Sequence, residues 1–252
     1  MIDAPDTPLA CTLHPSPNFE ARRAGMRPSI LLLHYTGMKD ANLAIDWLSR
    51  PEAKVSCHYV IDEAGRITQM VAEELRAWHA GESHWAGESD INSASIGIEI
   101  HNPGHEMGYP DFPAAQVAAV IALGRDIIER HRIRPERVLA HSDVAPHRKI
   151  DPGEKFPWDR LAASGVGHWV PPAPLDVVAL NEADDPAAIA STLARLRDYG
   201  YGVEPRGGMD ARATVVVAAF QRHFRPARVD GRIDRSTIVT LERLCAALSP
   251  AA

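Results

Sequence analysis

"SILLLHYTG", residues Ser29 to Gly37, decides how this chain folds. Its run Ile30 to Leu33 is apolar at four consecutive positions, so a strand here is apolar on both faces, as a central strand covered on both sides should be. The run then ends on a histidine, His34. Working outward, helical and strand-like patterns alternate. "DANLAIDWLSR" (Asp40 to Arg50) places Leu43, Trp47 and Leu48 on one helical stripe, with Asp40 as N-cap. "CHYVIDEAGRITQMV" (Cys57 to Val71) reads as a hairpin, two alternating runs around Asp62-Glu63-Ala64-Gly65. "SIGIEI" (Ser95 to Ile100) alternates strictly, with Ile96, Ile98 and Ile100 on one face and Gly97 and Glu99 on the other. Between Pro113 and Arg132, Val117, Val120, Ile121, Ile127 and Ile128 recur at helical spacing, with Pro113 near the first turn. "RVLA" (Arg137 to Ala140) is a short strand running into His141. The expected fold is α/β (α+β): a mixed central β-sheet flanked by helices.

The composition changes after Trp158. The stretch Gly165 to Pro186 holds four prolines and no sustained periodicity, so it reads as an extended connector. Beyond it, helical patterns cover about 186–199, 210–224 and 234–248, each beginning at or just after an aspartate that suits a helix N-terminus. The expected organisation is an N-terminal extension (1–26), a main domain (27–164), a Pro-rich connector (165–185) and a small C-terminal three-helix domain (186–252). Three helices enclose only a small core, so this last module is expected to lean on its neighbour.

Composition excludes several classes of partner. With 45% hydrophobic and 24% charged residues, the 252-residue chain has the balance of a globular protein. A net charge of -6 and no run of consecutive lysines or arginines removes the footprint of a nucleic-acid binder or polybasic membrane anchor. No apolar window approaches the roughly 18 residues of a membrane span. The start lacks a basic n-region and an apolar h-region, so a cytoplasmic location is expected from it. Cys11, Cys57 and Cys245 form no CxxC pair, against a disulfide framework and a cysteine-ligated zinc site.

The densest polar chemistry lies in "RVLAHSDVAPHRKIDPGEKFPW", Arg137 to Trp158. His34 and His141 each follow an apolar strand, and Asp151 returns ten residues later beside the Pro152-Gly153 turn. Two imidazoles and a carboxylate are the donors expected of a metal site that keeps a position open, when cysteine is absent. Glu99 and Lys149 would be the neighbouring chemistry. A histidine at a strand end is also commonly just a hydrogen-bonded structural residue, and spacing alone leaves both readings open.

"LLLHYTG", "SCHYVIDEAGRI", "RAWHAGES", "SIGIEIHNPG" and "AHSDVAPHRKIDPGEKFPW", in this order and at these separations, resemble the zinc-dependent N-acetylmuramoyl-L-alanine amidase family, over roughly residues 27 to 160. The resemblance implies that His34, His141 and Asp151 hold Zn2+, that Glu99 is the general base for water, and that Lys149 stabilises the oxyanion. Tyr35, His58, His79 and Asn92, in or beside these blocks, are expected to line the substrate cleft, with a structural hydrogen bond the equal alternative for His58 and His79, and Gly97 to leave room for substrate beside Glu99. Asp143 is expected to orient the loop or a histidine, and His147 to be solvated surface. The implied substrate is peptidoglycan or a muropeptide, cut between N-acetylmuramic acid and L-alanine. A non-catalytic recognition protein of the same fold is the alternative.

The C-terminal segment with "AFQRHF" and "VDGRIDRSTIVTLERL" is similar to the three-helix peptidoglycan-binding module. That likeness implies an anchor on polymeric wall, and with it an envelope location as the alternative to the cytoplasm; a helical appendage serving dimerisation or stability is the other reading. Removing the module is then expected to spare cleavage of small soluble substrates. Oligomeric state stays open.

Overall fold

The computed structural model describes residues 2–23, 25–175 and 185–248. A six-stranded sheet is ordered β1 (Cys11–Leu13), β5 (Ile67–Gln69), β4 (Tyr59–Ile61), β7 (Ser95–Ile100), β3 (Ile30–Tyr35), β8 (Val138–Ala140). β3 runs parallel to both of its neighbours, β7 and β8, and only the β4–β5 hairpin is antiparallel. The hairpin turn lies where the pattern puts it: the Arg66 carbonyl accepts from the Asp62 N–H, and Gly65 takes φ +80, a conformation that favours glycine. The first residues are woven in as well, through β1 at the sheet edge and β2 (Phe19–Ala21), which pairs antiparallel with β6 (Leu75–Ala77).

β3 is buried on both faces, and different layers cover them. Leu31 and Leu33 face a core formed with Ile96, Ile98 and Ile100, which follow the short α2 (Ile91–Ala94), with Val117, Val120, Leu123 and Ile127 of α3 (Ala114–His131), and with Trp158 and Leu161 of α5 (Trp158–Ala163). Ile30 and Leu32 face the other way, into a core shared with α6 (Pro186–Tyr199), α7 (Ala211–Phe224) and α8 (Arg235–Ala246). Asp185, Asp210 and Asp234 cap these three helices as the sequence suggests. The expected leaning of the C-terminal helices on their neighbour is thus one continuous core: Leu193, Leu196, Phe220 and Phe224 pack together with Leu139, Val144 and Trp85. The start of the Pro-rich stretch is pinned to the same layer. The Ala173 N–H donates to Thr240 Oγ1 at 2.9 Å, and Ser236 Oγ donates to the Ala173 carbonyl at 2.7 Å. Residues 176–184 of that stretch lie outside the described residues.

One helix turns differently from its apolar pattern. α1 (Ala41–Leu48) has its Asp40 cap, which accepts from the Asn42 and Leu43 N–H groups, but it buries Ala41, Ala44 and Leu48. Leu43 and Trp47 are 50% and 42% exposed. The small alanines let the helix lie close on the sheet, and the larger side chains are left on the open side. No helix among the described residues is long and apolar enough to cross a membrane.

Candidate metal and catalytic site

The parallel register brings the site together. Leu33 pairs with Ala140 and His34 with Glu99, so His34, Glu99 and His141 all lie at one end of three adjacent strands, β3, β7 and β8. His141 opens a single helical turn, α4 (His141–Val144), and the loop that follows folds back so that the Ser142 N–H donates to the Asp151 carbonyl at 3.0 Å.

His34, His141 and Asp151 are all buried and converge. His34 Nδ1 lies 2.9 Å from His141 Nδ1, and Asp151 Oδ2 lies 3.0 Å from His141 Nδ1 and 3.4 Å from His34 Nδ1. A tetrahedral site with bonds of about 2.0–2.1 Å has donor–donor edges of roughly 3.3 Å, so these three atoms lie within reach of one metal ion. Two imidazole nitrogens and a carboxylate oxygen facing one another make a metal-like donor set.

The other nitrogen of each ring is tied down. His34 Nε2 donates to His79 Nδ1 at 3.0 Å, and His79 Nε2 donates to Ser95 Oγ at 3.3 Å. His141 Nε2 donates to the Ala80 carbonyl at 3.2 Å. These bonds fix both tautomers with Nδ1 free to coordinate. Burial first, and then neighbouring His141, lower the His34 imidazole to about 4, so it is neutral at pH 7. For Asp151, burial acts upward, but the charge and hydrogen bonds of His141 and His34 outweigh it and hold the carboxyl well below the usual range.

Three of the sequence-based assignments change. Asn92 is buried away from the cleft, and its side-chain oxygen accepts the N–H groups of His79 and Ala80 at 3.0 and 2.7 Å; it holds the loop that carries His79. His58 is fully buried, accepts the Gly97 N–H on Nδ1 at 3.0 Å and donates from Nε2 to the Leu75 carbonyl at 3.1 Å. Gly97 makes room for His79 and not for substrate, since a Cβ there would come within 2.5 Å of the His79 ring. The reason is common to all three: the strand face beside Glu99 is filled by the histidines that support the metal-ligand candidates. His79 reaches the cleft wall, but its two nitrogens are committed to His34 and Ser95.

An open cleft of about 590 Å³ lies over the cluster, bordered by Tyr35, Glu99, Lys149 and the metal-ligand candidates His141 and Asp151. Glu99 is partly exposed there, while its Oε2 is buried with no hydrogen-bond partner among the described residues. Burial, and then the Asp151 charge, push its carboxyl well above the usual range, with Lys149 acting against them. That is the setting of a carboxylate able to take and return a proton near neutral pH. Tyr35 lines the cleft as expected, with its hydroxyl and His105 Nδ1 3.1 Å apart. The exposed Trp47 of α1 and Trp78 line the side toward that helix.

Arg148 was not singled out by the sequence reading. Its guanidinium donates to the Ala80 carbonyl and, at 2.9 Å, to the Glu82 carbonyl, so it braces the loop that receives His141. Its place beside Lys149 in the polar loop was the only available signal. His147 is exposed, as expected.

The buried neutral histidines predict acid sensitivity of the metal-free protein. Burial, and next His141 for His34 and Arg22 for His58, lower these imidazoles to about 4 and about 3. Both are neutral in folded and unfolded chains above about pH 6.5. As pH falls below that, these two imidazoles take up protons only in the unfolded chain, so the stability they contribute is full above about 6.5 and is lost on the way down to about 4. Two such groups give a slope on the order of 2–3 kcal/mol per pH unit. Denaturant titrations of chelator-treated protein between pH 7.5 and 4.5 measure it, and a flat midpoint from pH 7 to 5 contradicts it.

The amidase family model, described as N-acetylmuramoyl-L-alanine amidase, matches residues 24–154. The chain is 38% identical to the N-acetylmuramoyl-L-alanine amidase AmiD of Escherichia coli over 239 residues, 89% of this chain and 85% of that protein. It is 32% identical to the 1,6-anhydro-N-acetylmuramyl-L-alanine amidase AmpD of Salmonella typhimurium over 166 residues, 59% of this chain and 87% of that protein. Among solved structures, AmiD from E. coli in complex with the substrate anhydro-N-acetylmuramic acid-L-Ala-D-gamma-Glu-L-Lys superposes with a TM-score of 0.75 at 37% identity, covering 90% of this chain and 92% of that one. AmpDh3 from Pseudomonas aeruginosa in complex with anhydromuramic pentapeptide gives 0.75 at 33%, covering 89% and 93%.

Proposed function

The chain belongs to the N-acetylmuramoyl-L-alanine amidase family, and from that premise we propose that it is a zinc enzyme that hydrolyses the amide between N-acetylmuramic acid and L-alanine in muropeptides, including 1,6-anhydro forms. The observation that carries this reading is the triangle His34, His141 and Asp151, of which His141 and Asp151 line an open cleft, with Glu99 in register beside His34. The relatives crystallised with anhydro-muropeptides support the substrate class.

His34 and His141 through Nδ1, and Asp151 through its carboxylate, would hold the zinc. When bound, zinc supplies Lewis acidity, polarising the amide carbonyl and acidifying water. Glu99 takes the proton of the attacking water as the new C–O bond forms at the lactyl carbonyl. The Lys149 ammonium offsets negative charge on the carbonyl oxygen as it develops. Glu99 then returns its proton to the alanine nitrogen as the C–N bond breaks, leaving a muramic acid carboxylate and a free peptide amine. Its raised affinity for protons favours the first transfer.

Mass spectrometry of products from a soluble anhydro-muropeptide, with and without chelator and with zinc added back, tests the reading alongside metal analysis. About one zinc per chain and release of the intact stem peptide are expected; a metal-free protein with chelator-resistant cleavage overturns it. Glu99→Gln keeps size and reach but cannot accept the proton, so turnover should fall by roughly 10² or more with zinc retained. Lys149→Met should slow turnover and leave metal content unchanged. Binding of muropeptide with no cleavage by the zinc-loaded wild type would favour the recognition protein instead.

A further inference from the structure

The metal-bearing turn α4 is only four residues long, far too short to hold its own shape, so its position must be set by what it touches. Asp143 lies inside it, two residues past His141, and is fully buried. Asp143 Oδ2 accepts the N–H of Ala140, the residue before His141, at 2.8 Å. The carboxylate is in turn held from outside the main domain. His223 Nδ1 of α7 donates to Oδ2 at 2.7 Å, and the Tyr201 hydroxyl donates to Oδ1 at 2.7 Å. His223 is itself clamped, stacked on Trp158 at a centroid distance of 3.7 Å and on Phe224 at 3.8 Å.

The second support of His141 rests on the same layer. The Ala80 carbonyl that receives His141 Nε2 begins a loop ending at Trp85, whose indole packs edge-on against Tyr199 and Tyr201. The Ala86 N–H donates to the Gly200 carbonyl at 2.8 Å, and a Cβ at Gly200 would strike the Trp85 ring at 2.5 Å. Both ends of the His141 arrangement are therefore braced by residues beyond the Pro-rich stretch.

We infer that the C-terminal helical layer is a working part of the metal site, with His223 and Tyr201 as positioning residues that act through Asp143 to hold the His141 turn in its metal-binding geometry. This rests on the proposal that His34, His141 and Asp151 bind zinc. Removing either donor leaves a buried carboxylate short of a partner, and the turn is then free to tilt toward other donors or water. The effect of His223 and of the Tyr201 hydroxyl reaches the His141 turn through one carboxylate and one backbone N–H, which gives the inference its sharpest test.

Zinc affinity is measured by chelator competition, and the visible spectrum is recorded on the cobalt-loaded protein, for full-length wild type, His223→Leu, His223→Asn, Asp143→Ala and the Asp143→Ala/His223→Leu double variant. His223→Leu should weaken zinc binding about 10–100-fold and alter the cobalt spectrum, while His223→Asn, which can donate from a similar place, recovers most of the affinity. In the Asp143→Ala background, His223→Leu should add less than about 2-fold, because the path runs through the carboxylate. Equal zinc affinity in wild type and His223→Leu overturns the inference and leaves the proposed function standing, as do fully additive losses in the double variant. A wild type that binds no zinc overturns the proposed function itself. If His223→Leu does not fold, Tyr201→Phe decides: it keeps the ring against Trp85 and removes one hydroxyl, and should weaken zinc about 10-fold, whereas unchanged affinity refutes the positioning role.

Discussion

His34→Ala should lose metal and hydrolysis together. The variant keeps one imidazole and one carboxylate, and two donors do not compete with solvent for a divalent ion. Loss of a partner outside the ligand set alone costs about 10–100-fold in affinity, so loss of a ligand should cost more than about 10². Hydrolysis should fall to background at any zinc concentration that leaves the protein soluble. The fold should survive, since His34 lies near the C-terminal end of β3 and the apolar run Ile30–Leu33 that anchors the strand is untouched. Metal analysis, circular dichroism and product analysis on a soluble muropeptide check the three parts. Activity persisting in a metal-free, folded His34→Ala would sink the metal mechanism.

Truncation after Ala173 has the second large effect, and the structure reverses the outcome that a separable anchor implies. Without α6 to α8, the buried Ile30, Leu32, Trp85, Leu139 and Val144 lose the layer that covers them. At about 2 kcal/mol per large apolar side chain, the exposure costs roughly 10 kcal/mol, comparable to the whole stability of a domain. Asp143 also loses His223 and Tyr201. The truncated chain should therefore be unfolded or aggregated, and inactive on a soluble muropeptide as well as on insoluble sacculi. A folded, zinc-loaded fragment with full activity on the soluble substrate would show that the helices are an independent anchor after all. Intact chain co-sedimenting with sacculi would still support wall binding by these helices, because covering the sheet leaves their outer faces free for a second role.

Much of this protein was legible in one dimension because the deciding signals are local. The apolar run Ile30–Leu33 marks a strand buried on both faces, the alternation of Ser95–Ile100 sends Glu99 to the face opposite Ile98, and Asp40, Asp185, Asp210 and Asp234 announce helix starts by capping. The ligand candidates could also be named in the sequence, since a histidine ending an apolar strand is conspicuous and the blocks around it resemble a known family. What local pattern does not encode is which residues come to share a space. His58, His79, Asn92 and Gly97 read alike as residues that line the cleft or, for the two histidines, make structural hydrogen bonds; the tertiary structure leaves His79 on the cleft wall and makes His58, Asn92 and Gly97 a support layer around it, because parallel pairing of β3, β7 and β4 brings them together. Leu43 and Trp47 share a helical face with Leu48, but that periodicity does not say which part of the face meets the sheet, and close packing gave the contact to Ala41 and Ala44. The C-terminal helices show the same limit on a larger scale. Proline content marked a break in the chain, but a break in the chain is not a break in the core: Ile30 and Leu32 needed an apolar cover, and only the folded molecule decided that it comes from residues more than 150 positions away, because burial depends on what is near in space and not in sequence.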